Sequence, residues 1–156
     1  MTRPLLLTAG LLGVVAGLRS QLPNAVLAAR GLEPASGPLT LLASGAGRRA
    51  SYLAAAGEII ADKLPMTPSR VDRGPLIGRL VSGALAGTAF ASATGVRGAR
   101  LIPPAVAGAA GAFAGSWGGY TARKAAVEAT GLPDPVVAVV EDLAAVGLAL
   151  AALPQR

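Results

Sequence analysis

Two arginines and two carboxylates are the residues of this chain best placed to do chemistry. Arg19 closes the tripeptide Gly17-Leu18-Arg19 and runs straight into Leu22-Pro23, and Arg97 closes Gly95-Val96-Arg97 ahead of Ile102-Pro103. Each arginine therefore sits where an apolar run is interrupted and a proline follows. Inside a membrane, broken helix ends and a guanidinium fork can hold an anionic headgroup or solute. Glu58 and Asp62 lie four residues apart, so on a helix they share a face with Ser51 and Ala55. Like charges at that spacing disfavour a helix by roughly 0.2–0.5 kcal/mol. Compensation would come from a basic partner such as Arg79 or Arg19, from a shared proton, or from a bound cation.

The candidate site is thus Arg19, Arg97 and Arg79 for an anionic group, with Glu58 and Asp62 carrying a proton or cation. Plainer roles compete with it. The arginines could be interfacial anchors that snorkel to headgroups, and the carboxylates could be consumed in structural ion pairs. Arg79 and the pair Glu141-Asp142 fall near the starts of two helices that align with each other, which makes Arg79 with Glu141 a candidate interhelical pair, with exposure to headgroups as the alternative.

Other chemistry is excluded by composition. With 0 His and 0 Cys, the usual nitrogen and sulfur metal ligands are missing, as is any thiolate nucleophile or disulfide. No Ser/His/Asp arrangement exists, and no glycine-rich segment continues into the Lys-Ser/Thr of a phosphate-binding loop. No enzyme, metal or cofactor is expected.

The elements that must position these residues are apolar. The 156 residues are 53% hydrophobic and only 14% charged, against about a quarter charged in a typical soluble domain, and mean hydropathy is +0.57. A soluble domain would lack the charges to cover its surface. Disorder is ruled out by the same hydrophobicity. The net charge of +6 does not point to nucleic acid, because the arginines stand singly at segment ends without aromatic interleaving. Basic residues flanking apolar spans read instead as lipid-headgroup contacts.

Charge-free runs and prolines mark the helices. The first runs from Pro4 to Leu18 and extends through Arg19 to Leu22, with a short helical piece over Asn24 to Gly31. Arg3, this run and the small residues near Ala28 imitate a secretory signal, but the downstream copy of the motif makes the segment part of the fold. A second helix is predicted over Leu39 to Leu64 and a third from Pro75, a tolerated first-turn proline, to Thr94. The fourth starts near Pro103 or Pro104, contains the charge-free run Leu101 to Ala122, and ends at Gly131 and Pro133. The fifth runs from Pro135 to Leu153.

Tyr52 to Pro65 aligns without gaps on Tyr120 to Pro133, and the stretch from Pro75 aligns on that from Pro135. Together with the two Gly-x-Arg breaks this predicts an internal repeat, with units at about 4–65 and 75–133 and an extra helix at 135–153. Gly13-x-x-x-Gly17, Gly83-x-x-x-Gly87 and Gly111-x-x-x-Gly115 are small-residue faces on which membrane helices approach closely.

Gly17-Leu18-Arg19 with Leu22-Pro23, Glu58 with Asp62-Lys63-Leu64-Pro65, Ser69-Arg70, and Gly78-Arg79 ahead of Ser82-Gly83-Ala84 together resemble a bacterial membrane-protein family. It is the one filed as domain of unknown function four-one-two-six. The likeness covers nearly the whole chain and is most specific at Glu-x-x-x-Asp-Lys-x-Pro. It implies an integral membrane protein and supplies no catalytic residues.

The expectation is a single all-α domain, residues 1–156: a polytopic membrane helix bundle of about five helices with two Gly-x-Arg broken-helix elements. It would sit in the plasma (inner) membrane among lipids as a homo-oligomer with no nucleic-acid partner. Its expected role is a transporter or channel-like protein for a small anionic solute or lipid headgroup. The alternative is a non-catalytic scaffold or subunit that self-associates through its glycine faces.

Overall fold

A computed structural model describes residues 4–32, 40, 44–61, 69 and 71–154. Among them are six α-helices, one 3₁₀ turn and no strand. The local rules behind their boundaries are visible. Helix α1 (Leu5–Leu18) follows Pro4 and stops where Arg19 turns extended, φ −142° and ψ 108°. Helix α2 (Leu22–Ala29) carries Pro23 in its first turn, where the missing N–H costs nothing. Helix α3 spans Gly45–Ala61 and α4 spans Arg73–Ala93. The 3₁₀ turn Gly98–Leu101 leads into α5 (Ile102–Thr130), which opens on a proline pair. Gly131 ends α5 at φ +66°, a left-handed cap that suits glycine. Helix α6 (Asp134–Ala152) starts with Asp134 and a first-turn proline, the acidic side chain favouring that end of the helix dipole.

The centre of the bundle is α1, α4 and α5, locked together through backbone. A Cβ placed on Gly13 would collide with the Gly108 carbonyl, one on Gly17 with the Ala112 carbonyl, and one on Gly115 with the Val14 carbonyl. Positions on α1 and α5 rise together along this seam, so the two helices run parallel. Helix α4 runs antiparallel to both: Gly83 meets Gly108, and Gly87 meets Pro104 and Ala9. All three glycine faces are therefore spent inside one chain. Ala138, Ala145, Ala149 and Ala152 form the buried stripe by which α6 joins them.

Two helices are long and apolar enough to cross a bilayer by length and composition: Arg73–Ala93, 21 residues with mean hydropathy 1.3, and Asp134–Ala152, 19 residues with 1.9. Helix α5 is 29 residues long but rich in Gly and Ala, and it is not among them. Large side chains on the outer faces, including Leu6, Ile77, Val106, Phe113, Val140 and Leu143, are exposed.

The two Gly-x-Arg segments play different parts. The first is followed by a helix of 8 residues and the second by one of 29. Likewise Tyr52 lies on α3, which packs on α2 at the edge of the bundle, whereas Tyr120 lies on the central α5.

Candidate functional site

The break between α1 and α2 leaves carbonyls at the end of one helix and N–H groups at the start of the next without helical partners. Side chains from elsewhere in the chain satisfy them. Arg79, 5% exposed on α4, donates through Nη1 to the Gly17 and Leu18 carbonyls at 2.9 and 2.7 Å. Glu58 on α3 accepts the N–H groups of Ser20 and Gln21 at 2.7 and 2.9 Å, one on each carboxylate oxygen. A cation thus caps the C-terminal end and an anion the N-terminal end, the signs that the helix dipoles favour. The two caps also pair, with Arg79 Nη2 standing 3.3 Å from Glu58 Oε1.

Hydroxyls complete the shell. Ser82, one turn along α4 from Arg79, donates to the Ser20 carbonyl, and Ser116 on α5 donates to the Gly17 carbonyl at 3.3 Å. Asn24 Nδ2 donates to Ser82 Oγ at 3.2 Å.

Arg19 itself is 1% exposed. Its Nε donates to Asp142 Oδ1 on α6 at 2.5 Å, and Nη1 donates to the Leu18 carbonyl at 3.2 Å. Glu141, the neighbour of Asp142, faces another way: its Oε2 lies 3.8 Å from Arg123 on α5, which also binds Asp134. Successive helical residues diverge by about 100°, so this acidic pair serves two different arginines. The candidate pair of Arg79 with Glu141 is replaced by Arg79 with Glu58.

The cluster lies inside the bundle. Arg79, Asp142 and Ser116 each sit about two turns from the charged residues Arg73, Asp134 and Arg123 at one end, or roughly 10 Å at 1.5 Å per residue. A cavity of about 380 Å³ opens between α5 and α6, floored by Leu18 and walled by Gly118, Gly119, Ala122, Val137 and Val140, with Arg123 and Glu141 also in its lining.

Of the residues singled out by sequence, Arg19, Glu58 and Arg79 meet at the break. Arg97 does not: it is exposed on the connection between α4 and α5. Gly87 packs on Ala9, which puts that connection beside the start of α1, at the opposite end from Arg19. Asp62 lies outside the described residues. Asp142, Ser82, Ser116 and Arg123 belong to this polar system and were not among the expected site residues. Asp142 was visible only as half of an acidic pair, with nothing in the spacing to tell which half would turn inward. Among the described residues no group of three or more His, Cys, Asp or Glu could hold a metal ion.

No protein-family model, no curated protein and no solved structure matches the chain. Gly17, Leu18, Arg19, Glu58, Arg79 and Ser82 converge on the break, although in sequence they spread from the first helix to the fourth.

Proposed function

We propose that this chain is a small multi-pass protein of the plasma (inner) membrane that transports or conducts a small anionic solute or lipid headgroup, with the α1–α2 break as its working centre. The observation that carries the reading is the break itself, a discontinuous helix capped by Arg79 and Glu58 and flanked by the Arg19–Asp142 pair. Discontinuous helices whose ends face charged groups are the form in which membrane transporters build their sites. Ionisable groups inside a span are costly enough to mark function by default. A buried ion pair is a poor way to gain stability alone, since apolar residues of similar volume often serve better.

The apolar outer faces and the two span-length helices support the membrane location. The cavity between α5 and α6 is lined in part by Leu18, the residue next to Arg19. The likeness to the family filed as domain of unknown function four-one-two-six agrees with this location. The scaffold reading relied on glycine faces left for a second copy, and those faces are filled within the chain.

The test is reconstitution of the full chain in vesicles loaded with a pH-sensitive dye, with inorganic phosphate and chloride as probe anions under an imposed potential. Uptake or proton entry above protein-free vesicles is expected, and Glu58→Gln should abolish the proton-coupled part. Vesicles no more permeable than the protein-free controls to phosphate, chloride or protons would remove transport and return the scaffold.

A further inference from the structure

One face of α5 is spent inside the bundle and the other is bare. Gly108, Ala112, Gly115, Ser116 and Gly119 are buried, whereas Ile102, Val106, Phe113, Trp117 and Tyr120 are between 39% and 62% exposed. Their helical spacing puts these five on one stripe, which continues to the exposed Lys124. The stripe is graded. Purely apolar side chains come first, then the two aromatic ones that carry a polar tip, then an ammonium. Trp117 stands between Phe113 and Tyr120 with its ring centroid 6.4 Å from each, so the three rings form one continuous patch. This is the order of a bilayer from hydrocarbon through interface to headgroup, and the interface is where Trp and Tyr collect. Length agrees. Ile102 to Tyr120 is roughly 27 Å of helix, close to the ~30 Å of a hydrocarbon core, and Arg100 stands just before it. Neighbouring charges reach the same level, since Arg123, about one turn past Tyr120, binds Asp134 at the start of α6 at 2.8 Å.

We infer that Trp117, Tyr120 and Lys124 seat one end of the bundle in the interface of a bilayer leaflet, and that the α1–α2 break lies shallow beneath the headgroups of that leaflet. Ser116, which donates to the Gly17 carbonyl of the break, is the residue before Trp117. About 6 Å of helix separate Ser116 from Tyr120, against about 15 Å from the edge of a hydrocarbon core to its middle. An anionic group handled at the break therefore comes from the side of that leaflet. Towards the other side α1, α4 and α5 are in backbone contact, Gly13 with Gly108 and Gly87 with Pro104. The inference rests on the membrane location proposed above and is independent of whether a solute is carried. A second copy seated on the stripe would cover the three rings alike, whereas lipid separates Phe113 from Tyr120 by depth.

Trp117 is the only Trp of the chain, so its fluorescence reports this position alone. The full chain is reconstituted in phosphatidylcholine vesicles whose acyl chains carry bromine near the headgroup, midway, or near the chain end, and is floated with them. Bromine near the headgroup should quench Trp117 most. Combining Trp117→Phe with Phe113→Trp moves the reporter about 6 Å along the helix and should shift the strongest quenching to a deeper bromine. Strongest quenching of Trp117 by bromine near the chain end would place the break at the midplane and overturn the inference. Absent or depth-independent quenching in a chain that floats would overturn it as well, with the stripe covered by protein. A chain that does not float with the vesicles would remove the membrane location itself, and the inference with it.

Discussion

Glu58 and Arg79 stand 3.3 Å apart and cap opposite sides of one helix break, the arginine on the carbonyls that end α1 and the carboxylate on the amides that start α2. The pair therefore does more than neutralise itself. Each partner compensates a helix end that would otherwise be buried without hydrogen bonds, so the two residues and the break form one unit.

That unit predicts non-additive losses. Arg79→Met should cost about 3–5 kcal/mol, the usual result of stripping one partner from a buried pair. Glu58→Gln should cost less, because the amide oxygen still accepts from one backbone N–H. The double variant should lose about 0.5–3 kcal/mol less than the two single losses summed. Unfolding followed by helical signal in detergent measures all three. Strictly additive losses would show that the caps act independently.

Arg19 and Arg97 end identical Gly-x-Arg patterns and should behave in opposite ways. Arg19→Met leaves the part-buried Asp142 without the guanidinium and should destabilise by several kcal/mol. Arg97→Ala, on an exposed connection, should stay within about 0.5 kcal/mol of the parent. Melting temperatures of the two variants in the same detergent decide it, and equal shifts would contradict the placement of Arg97.

Glycines should divide by what they touch. Gly13→Ala drives a methyl into the Gly108 backbone and should cost about 1–3 kcal/mol or more by overpacking. Gly147→Ala, on α6 with nothing within 4 Å of the new carbon, should stabilise by about 0.4–1 kcal/mol through helix propensity. A neutral Gly13→Ala would show that α1 and α5 are not in backbone contact.

The membrane reading has its own test. Arg100, before α5, and Lys124, near its far end, are separated by roughly 35 Å of helix at 1.5 Å per residue. In sealed vesicles, Arg100→Cys and Lys124→Cys should react with a membrane-impermeant maleimide from opposite faces. Labelling from one face would mean that α5 does not cross.

Much of the helix order was legible because prolines and charge-free runs are local signals. Pro23, the Pro103-Pro104 pair, Gly131 and Pro135 sit at or next to the boundaries they predict, and α4 begins only slightly ahead of Pro75. The meeting of Glu58 with a basic partner was legible too, since an acidic face on an apolar chain demands compensation. The fate of the two arginines was not. Both follow the same motif, and only tertiary placement puts one at a break roofed by four other helices and the other at an exposed turn. The glycine faces were equally ambiguous, because the same spacing serves contacts within a chain and between chains. Which half of Glu141-Asp142 turns to Arg19 depends on the rotation of α6, which a repeat of small residues does not fix.

The partners of Arg19 have a consequence for biogenesis. Arg19 and Asp142 are 123 residues apart, and at synthesis rates of about 5–20 residues per second the carboxylate emerges roughly 6 to 25 s after the guanidinium. Helix α1 cannot take its final position when it is made, since both its parallel companion α5 and the counter-charge on α6 come late. The nascent chain must wait with its first helix short of these partners, and the last helix to emerge sets the moment at which Arg19 is paired. Truncation before Asp142 should therefore leave even the first residues of the bundle unassembled.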